Sequence, residues 1–426
     1  MSRRLVGTYL AALVFLSSVL YVGVRSVRQG PGNDASVFYF ATTLLFRGQN
    51  PYDQALMRTE WEATRQEGNT RPAPSPFANP PSFVLLVAPI VLFSHAIALH
   101  VFSVLNFSCL LVSVYFLDLM IRRKASPATR LVLATWSVML PPTMKLLAYG
   151  QSALLVCAPL IVALYLLRRK SEIWAGFWLA LSLAKFTISL PFLAVLILRR
   201  RWKAAGTALA VFLGANLALA IPVGVGNIVG SYRDTIASLD GVGGMNDPFS
   251  ELATETHNIV SAKNFFVLIL GKDRAAVQVA LLLFTLTFGL LFVYLVLQRR
   301  KTAVAALEDP LEIALTTMTA MALAYHRVYD LAALMLVIYA LAEYRLDNPA
   351  ADSTGWKAAM ATLFCLSFFV VGTRWSLPFD FVLAKLHLPS SPHFGSVLVI
   401  ALLAQIIVMI VLASRRSAVA AVATSP

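Results

Sequence analysis

The chain has 426 residues, 58% of them hydrophobic and 13% charged, with a mean hydropathy of +0.74; a soluble domain carries roughly 25% charged residues. Those values exclude an ordinary soluble globe, and apolar runs of about 18 residues or more, each able to cross ~30 Å of hydrocarbon, recur along nearly the whole length. The net charge of +14 does not point to nucleic acid, because the basic residues form short clusters beside apolar runs, where they act as topology signals.

In chain order, Arg3-Arg4 precedes an apolar run from Leu5 to Val24. At about 20 residues it exceeds the core of a signal peptide, and no Ala-x-Ala step follows, so it reads as a retained first helix. Pro31-Gly32-Asn33-Asp34 then makes a turn, and Val37, Phe40, Ala41, Leu44 and Leu45 follow at helical spacing up to the break Gly48-Gln49-Asn50-Pro51-Tyr52. The spacing predicts a short amphipathic helix headed by Asp34. A second polar helix, about Gln54 to Gln66 with Trp61 as an interfacial anchor, leads to Asn79-Pro80-Pro81. Residues 81–121 contain a short apolar run and a long one but must cross once, so one of the two is partial or tilted.

Basic clusters at Arg3-Arg4, 122–124, 168–170, 199–203, 299–301 and Arg415-Arg416 belong on the cytoplasmic side by the positive-inside rule. Residues 25–80, the joint 149–151, the loop from about 223 to 275, the joint 325–330 and residues 373–394 then face outward. Residues 173–198 begin and end beside cytoplasmic clusters and are too few for two full crossings, which predicts a hairpin of short helices with its apex near Lys185. Such irregular backbone at membrane depth needs burial in protein or a wet cavity. The expected architecture is all-α: one membrane domain over 1–413 with about 12 transmembrane or re-entrant helices, both termini cytoplasmic, and a loose cytoplasmic tail at 414–426. Cys109, Cys157 and Cys365 lie inside apolar runs without metal-ligand spacing, so no disulfide framework or zinc site is expected.

Several polar residues need partners. An aspartate opening a helix caps orphan amides, and a cap holds its carboxylate rigidly where a substrate could approach. Lys185 lies ~18 Å along either hairpin arm from basic clusters and calls for a carboxylate from another helix or an anionic substrate. Tyr325-His326-Arg327-Val328-Tyr329-Asp330 reads either as an interfacial belt with an Arg327–Asp330 pair or as an anion clamp. His257-Asn258 and Lys263-Asn264 repeat the basic and amide pairing at a boundary. His95 and His100 read as packed residues.

The order Asp34, Tyr39, Gly48-x-Asn50-Pro51-Tyr52-Asp53, Pro80-Pro81, Gly150-Gln151 and an apolar hairpin with Lys185 resembles glycosyltransferase family 87, within the C-type membrane glycosyltransferases. The resemblance spans roughly residues 1–345. It implies an outward-facing enzyme that transfers a sugar, mannose by default, from a polyprenyl-phosphate donor to a lipid-linked glycan or other glycan acceptor. It also implies that Asp34 is the general base, that Lys185, His326 and Arg327 bind the donor phosphate, and that Tyr39, Asn50, Tyr52, Gln151, His257, Asn258, Lys263, Tyr329 and Asp330 contact substrate. The family's proline close after the hairpin lysine is displaced here to Pro191. No cofactor is demanded, since basic side chains can neutralise one lipid phosphate; a weak divalent site at Asp34 and Asp247 stays open. The absence of a Rossmann-like segment or glycine-rich phosphate fingerprint agrees with a lipid-linked donor. A transporter or flippase for a lipid-linked anion is the rival reading, and it has no use for the helix headed by Asp34.

Overall fold

The computed structural model describes residues 3–29, 33–64, 75–241, 244, 246–249, 259–271, 273–300, 305–324 and 326–348, with single positions at 357, 360, 363 and 405. The candidate residues His257 and Asn258, the outward segment 373–394 and the tail 414–426 fall outside them. The described chain is helical almost throughout. Five helical stretches are long and apolar enough to cross a membrane, 5–28, 95–121, 172–198, 202–220 and 274–299, or six with the bent pair 127–138 and 141–149. Shorter apolar helices cover 34–46, 81–92, 153–168 and 310–323. Together they make this a membrane protein; the described residues hold five or six candidate spans, against an expected count of about 12 transmembrane or re-entrant helices.

α1 (Arg3–Gln29) presents Tyr9, Leu13, Leu16 and Leu20 outward, the apolar exposure expected of a chain solvated by lipid. α2 (Asn33–Phe46) departs from the expected amphipathic helix. Ala35, Val37, Phe38, Phe40, Ala41, Thr42, Leu44 and Leu45 are all buried, so both faces pack. α3 (Gln54–Thr64) is the amphipathic one, with Met57 buried and charged residues outward. The partial run is the short one: residues 81–92 break into a 3-10 turn, the single-turn α4 (Val84–Val87) and a second 3-10 segment. α5 (His95–Ile121) is the full-length helix.

Pro141-Pro142 interrupts α6 (Pro127–Val138) and α7 (Pro141–Tyr149), which bend by 42°, as expected where proline removes helical hydrogen bonds. Gly150, at φ 69°, closes α7 in the left-handed conformation that glycine adopts without penalty. α8 (Ala153–Arg168) follows, buried for nearly its whole length.

α9 (Glu172–Ser182) and α10 (Phe186–Leu198) are joined by a 3-10 turn at 183–185. Although 172–198 is long enough to span, it is folded back as the predicted hairpin. A straight helix of that length would separate its ends by roughly 40 Å, yet Glu172 lies 3.0 Å from Arg201, and Glu308 lies 2.6 Å from Lys170 and 3.7 Å from Arg201. Within the turn the hydroxyls of Ser182 and Ser189 bond each other, and the Ser189 hydroxyl also donates to the Ser182 carbonyl.

α11 (Trp202–Ala220) packs along α9, followed by α12 (Val225–Asp240), α13 (Ala262–Leu270), α14 (Arg274–Arg299), α15 (Pro310–Leu323) and α16 (Leu334–Asp347). The two-residue segments β1 (Ile259–Val260) and β2 (His326–Arg327) pair antiparallel, tying the 223–275 loop to the 325–330 joint.

The basic clusters converge at one end. Glu343 takes a two-pronged bond from Arg168, 2.8 Å on each arm, and another from Lys124 at 2.9 Å. Glu312 binds Arg199 at 2.9 Å, and Asp309 binds Arg299. α8 runs from this network toward the opposite end, a rise of about 24 Å over its 16 residues.

Candidate active site

At that opposite end the joints between helices enclose a cavity of about 360 Å³, lined by Asp34, Asn79, Gln151, Lys185, Asp240, Asn246, Arg327 and Asp330 among others. Its wall draws on four of the segments expected to face outward, namely 25–80, 149–151, 223–275 and 325–330, and on the hairpin apex.

Each side chain arrives for a local reason. Asp34 occupies the first turn of α2, where the positive end of the helix dipole favours a carboxylate. The helix already includes Asn33, so Asp34 sits inside that turn, and its carboxylate accepts a bond from the Gln151 amide. Gln151 is delivered by the left-handed Gly150: its backbone NH closes α7 on Leu146 at 3.0 Å, and its carbonyl takes Asn106 of α5 at 2.9 Å.

Lys185 reaches the cavity because the hairpin turns at it. Its ammonium bonds Asp330 at 2.5 Å, and Asp330 is buried. The other oxygen of Asp330 accepts the backbone NH of Arg327 at 3.2 Å. Asp330 thus fixes both the lysine and the turn that carries the arginine. Of the two partners left open by the sequence, a carboxylate or an anionic substrate, the carboxylate is present, and the pair faces the cavity. Arg327, half-buried, approaches the Asn246 carbonyl oxygen at 3.5 Å. Thr187, beside the hairpin apex, lines the same space; its hydroxyl is buried and has no hydrogen-bond partner among the described residues.

Other sequence candidates sit elsewhere. The Tyr39 hydroxyl donates to the Phe93 carbonyl at 3.1 Å and the ring packs on His95, which itself bonds Ser36 and stacks on Phe40; this is a packing role away from the cavity. Asn50 makes a turn, accepting the Tyr52 NH at 3.0 Å and donating to Ser231 at 2.8 Å. Tyr52 is buried, and its hydroxyl donates to the Asn79 carbonyl at 2.7 Å. Burial, reinforced by the neighbouring Tyr232, pushes that phenol above its ordinary range, so it stays a neutral donor. Asn50 and Tyr52 therefore brace the cavity wall without lining it. Lys263 pairs with Asp247 at 3.2 Å, and Arg274 holds the same carboxylate at 2.9 Å. Both are off the cavity, and Asp247 is committed to two cations. No cluster of metal-ligating side chains occurs among the described residues. The side chains of His326 and Tyr329 lie outside the description, though the backbone of His326 pairs with Val260.

Sequence reasoning missed Asp240, Asn246, Asn79 and Thr187. Asn79 before Pro80-Pro81, Asp240 before Gly241, and Asn246 near Gly243-Gly244 and before Asp247-Pro248 carry local turn signals, and Thr187 carries none.

The sequence model of glycosyltransferase family 87 matches residues 77–321, more than half of the chain. This protein belongs to glycosyltransferase family 87. The matched segment contains Gln151, Lys185, Asp240 and Asn246 of the cavity, while Asp34, Arg327 and Asp330 join them from outside it. No curated protein and no solved structure matches the chain. As a family 87 member, the protein is a glycosyltransferase embedded in a membrane.

Proposed function

We propose that the protein transfers a sugar, mannose by default, from a polyprenyl-phosphate donor to a lipid-linked or other glycan acceptor at the outer face of the cell membrane. The observation that carries this reading is the shared cavity: a carboxylate on α2 and cationic side chains from the hairpin apex and the 325–330 joint line one space. Asp34 takes the proton of the acceptor hydroxyl as that oxygen attacks the anomeric carbon, and the Gln151 amide holds the carboxylate in place. The bond from the anomeric carbon to the phosphate oxygen breaks, and the departing lipid phosphate gains negative charge. Arg327 offers a planar fork suited to phosphate oxygens. The Lys185 ammonium, held at the cavity wall by Asp330, adds a fixed positive point charge. Cations fixed before the reaction stabilise a developing anion without reorganising, and a metal is not required to neutralise one phosphate. The positive-inside rule supports the orientation: it assigns the basic network to the cytoplasmic side, so the cavity at the opposite end faces outward, where nucleotide sugars are absent and a lipid-linked donor serves.

The test is Asp34→Asn in the full-length purified enzyme with polyprenyl-phosphate mannose. Positioned bases contribute about 10²–10⁴ in rate, so transfer falls by that range while donor binding and melting temperature are retained. A variant with full transfer rate removes the base assignment.

A further inference from the structure

We infer that Asp240 and Asn246 form the acceptor-binding rim of this cavity and that the rim takes a neutral, hydroxyl-rich glycoside. The inference rests on the transfer reading above and adds the side of the cavity on which the acceptor is recognised.

Asp240 ends α12, is exposed, and lines the cavity. Its carboxylate accepts the Asn246 amide at 2.9 Å, while the carbonyl oxygen of the same side chain faces Arg327. The Asn246 backbone NH closes on the Leu239 carbonyl at 3.0 Å. Both ends of the carboxamide and its backbone are thereby engaged. Behind the rim, the next residue, Asp247, is fully buried and gripped by Lys263 and Arg274. The ring of Phe249 lies 4.6 Å from the Arg274 guanidinium carbon. A buried, doubly paired carboxylate is costly to desolvate, and here it anchors the turn that carries an otherwise exposed polar pair.

The chemistry selects the ligand. A phosphate leaving group gains nothing from another carboxylate at the cavity wall, because like charges repel. A carboxylate does suit sugar hydroxyls: it accepts through two oxygens, and such charge-assisted bonds are the strong ones. An acceptor bearing its own carboxylate meets Asp240 as well as Asp34 and is disfavoured. The donor phosphate falls to Lys185 and Arg327, leaving the hydroxyls of the acceptor to Asp240.

The experiment uses the full-length enzyme in lipid nanodiscs, polyprenyl-phosphate mannose as donor, and octyl α-mannoside or octyl glucuronide as acceptor probes. Losing a charged hydrogen bond is worth about tenfold in affinity, so Asp240→Asn raises KM for octyl mannoside by about tenfold or more. The donor KM stays within about twofold, Asp240→Glu restores part of the loss, and wild-type enzyme prefers the mannoside over the glucuronide. An unchanged mannoside KM, a rise in donor KM instead, equal use of the glucuronide, or no transfer to octyl mannoside by the wild type overturns the inference. The two readings separate in Asp34→Asn: loss of transfer there with an unaltered acceptor KM in Asp240→Asn sinks the rim alone, whereas full transfer in Asp34→Asn with a raised acceptor KM in Asp240→Asn sinks the base assignment alone.

Discussion

The two ends of the helical bundle handle charge in different ways. At the network end the acids have cations in direct contact: the buried Glu343 with Arg168 and Lys124, the buried Glu312 with Arg199, and the partly buried Asp309 with Arg299. At the cavity end the charged groups also have protein partners, but they border an open volume of about 360 Å³. Helices such as α8, α9 and α15 connect the two, so the same elements that lock the network deliver Gln151, Lys185 and the Arg327 turn to the cavity. Charge at one end is enclosed by packing, and at the other it borders a cavity. Substitutions therefore separate into those that change melting and those that change kinetics.

The largest effect expected is the loss of about 10²–10⁴ in rate for Asp34→Asn, and a parallel fall in melting temperature would blur the distinction between the ends. Next comes Glu343→Gln, which leaves Arg168 and Lys124 without their shared acid. Breaking a buried pair costs about 3–5 kcal/mol, and because Lys124 is partly exposed the lower part of that range applies. Thermal unfolding in detergent should show it, with KM for donor and acceptor unchanged in the folded fraction. Arg327→Ala is expected to weaken donor binding by roughly tenfold to a hundredfold, the worth of a charged hydrogen bond, and acceptor binding far less. Equal loss of both would count against a phosphate role.

The smallest effect concerns pH. Burial pulls the Lys124 ammonium down, but hydrogen bonds to Asp347 and Glu343 and their charges outweigh it, holding the group above the ordinary lysine value of 10.5. A raised folded-state value means the stabilisation is complete below the unfolded one and is lost as pH rises through the folded one. The difference in melting temperature between wild type and Lys124→Met should therefore be constant through neutral pH and shrink only in strongly alkaline solution. A difference that shrinks near pH 7 would contradict the pairing.

Much of this was legible in the sequence where a residue is costly without a partner. Lys185 amid apolar helices required a turn and a counterion, and the hairpin and Asp330 supply them. The basic clusters at 122–124, 168–170, 199–203 and 299–301, read as one side, each contribute a cation to ion pairs at one end. Asp34 was legible through its turn, but its bond to Gln151 was not, because 117 positions separate them and only tertiary packing joins the two. The helical spacing of Val37, Phe40 and Leu44 suggested one wet face on α2; Phe38 and Thr42, on the other face, are buried by neighbouring segments that local periodicity does not register. Tyr39 and Asn50 resemble site residues in order but act in packing and turn formation. The roles of Asp240 and Asn246 are not legible in the sequence, because a polar residue at a helix end or in a turn looks alike whether or not a cavity lies beside it.

The central claim is that one cavity holds the base and the phosphate-binding cations together. A structure of the full-length enzyme with polyprenyl-phosphate mannose bound tests it most directly. The account predicts phosphate oxygens in hydrogen-bond contact with Lys185 and Arg327 and the anomeric carbon facing Asp34. A phosphate bound elsewhere, or a sugar directed away from Asp34, would contradict it.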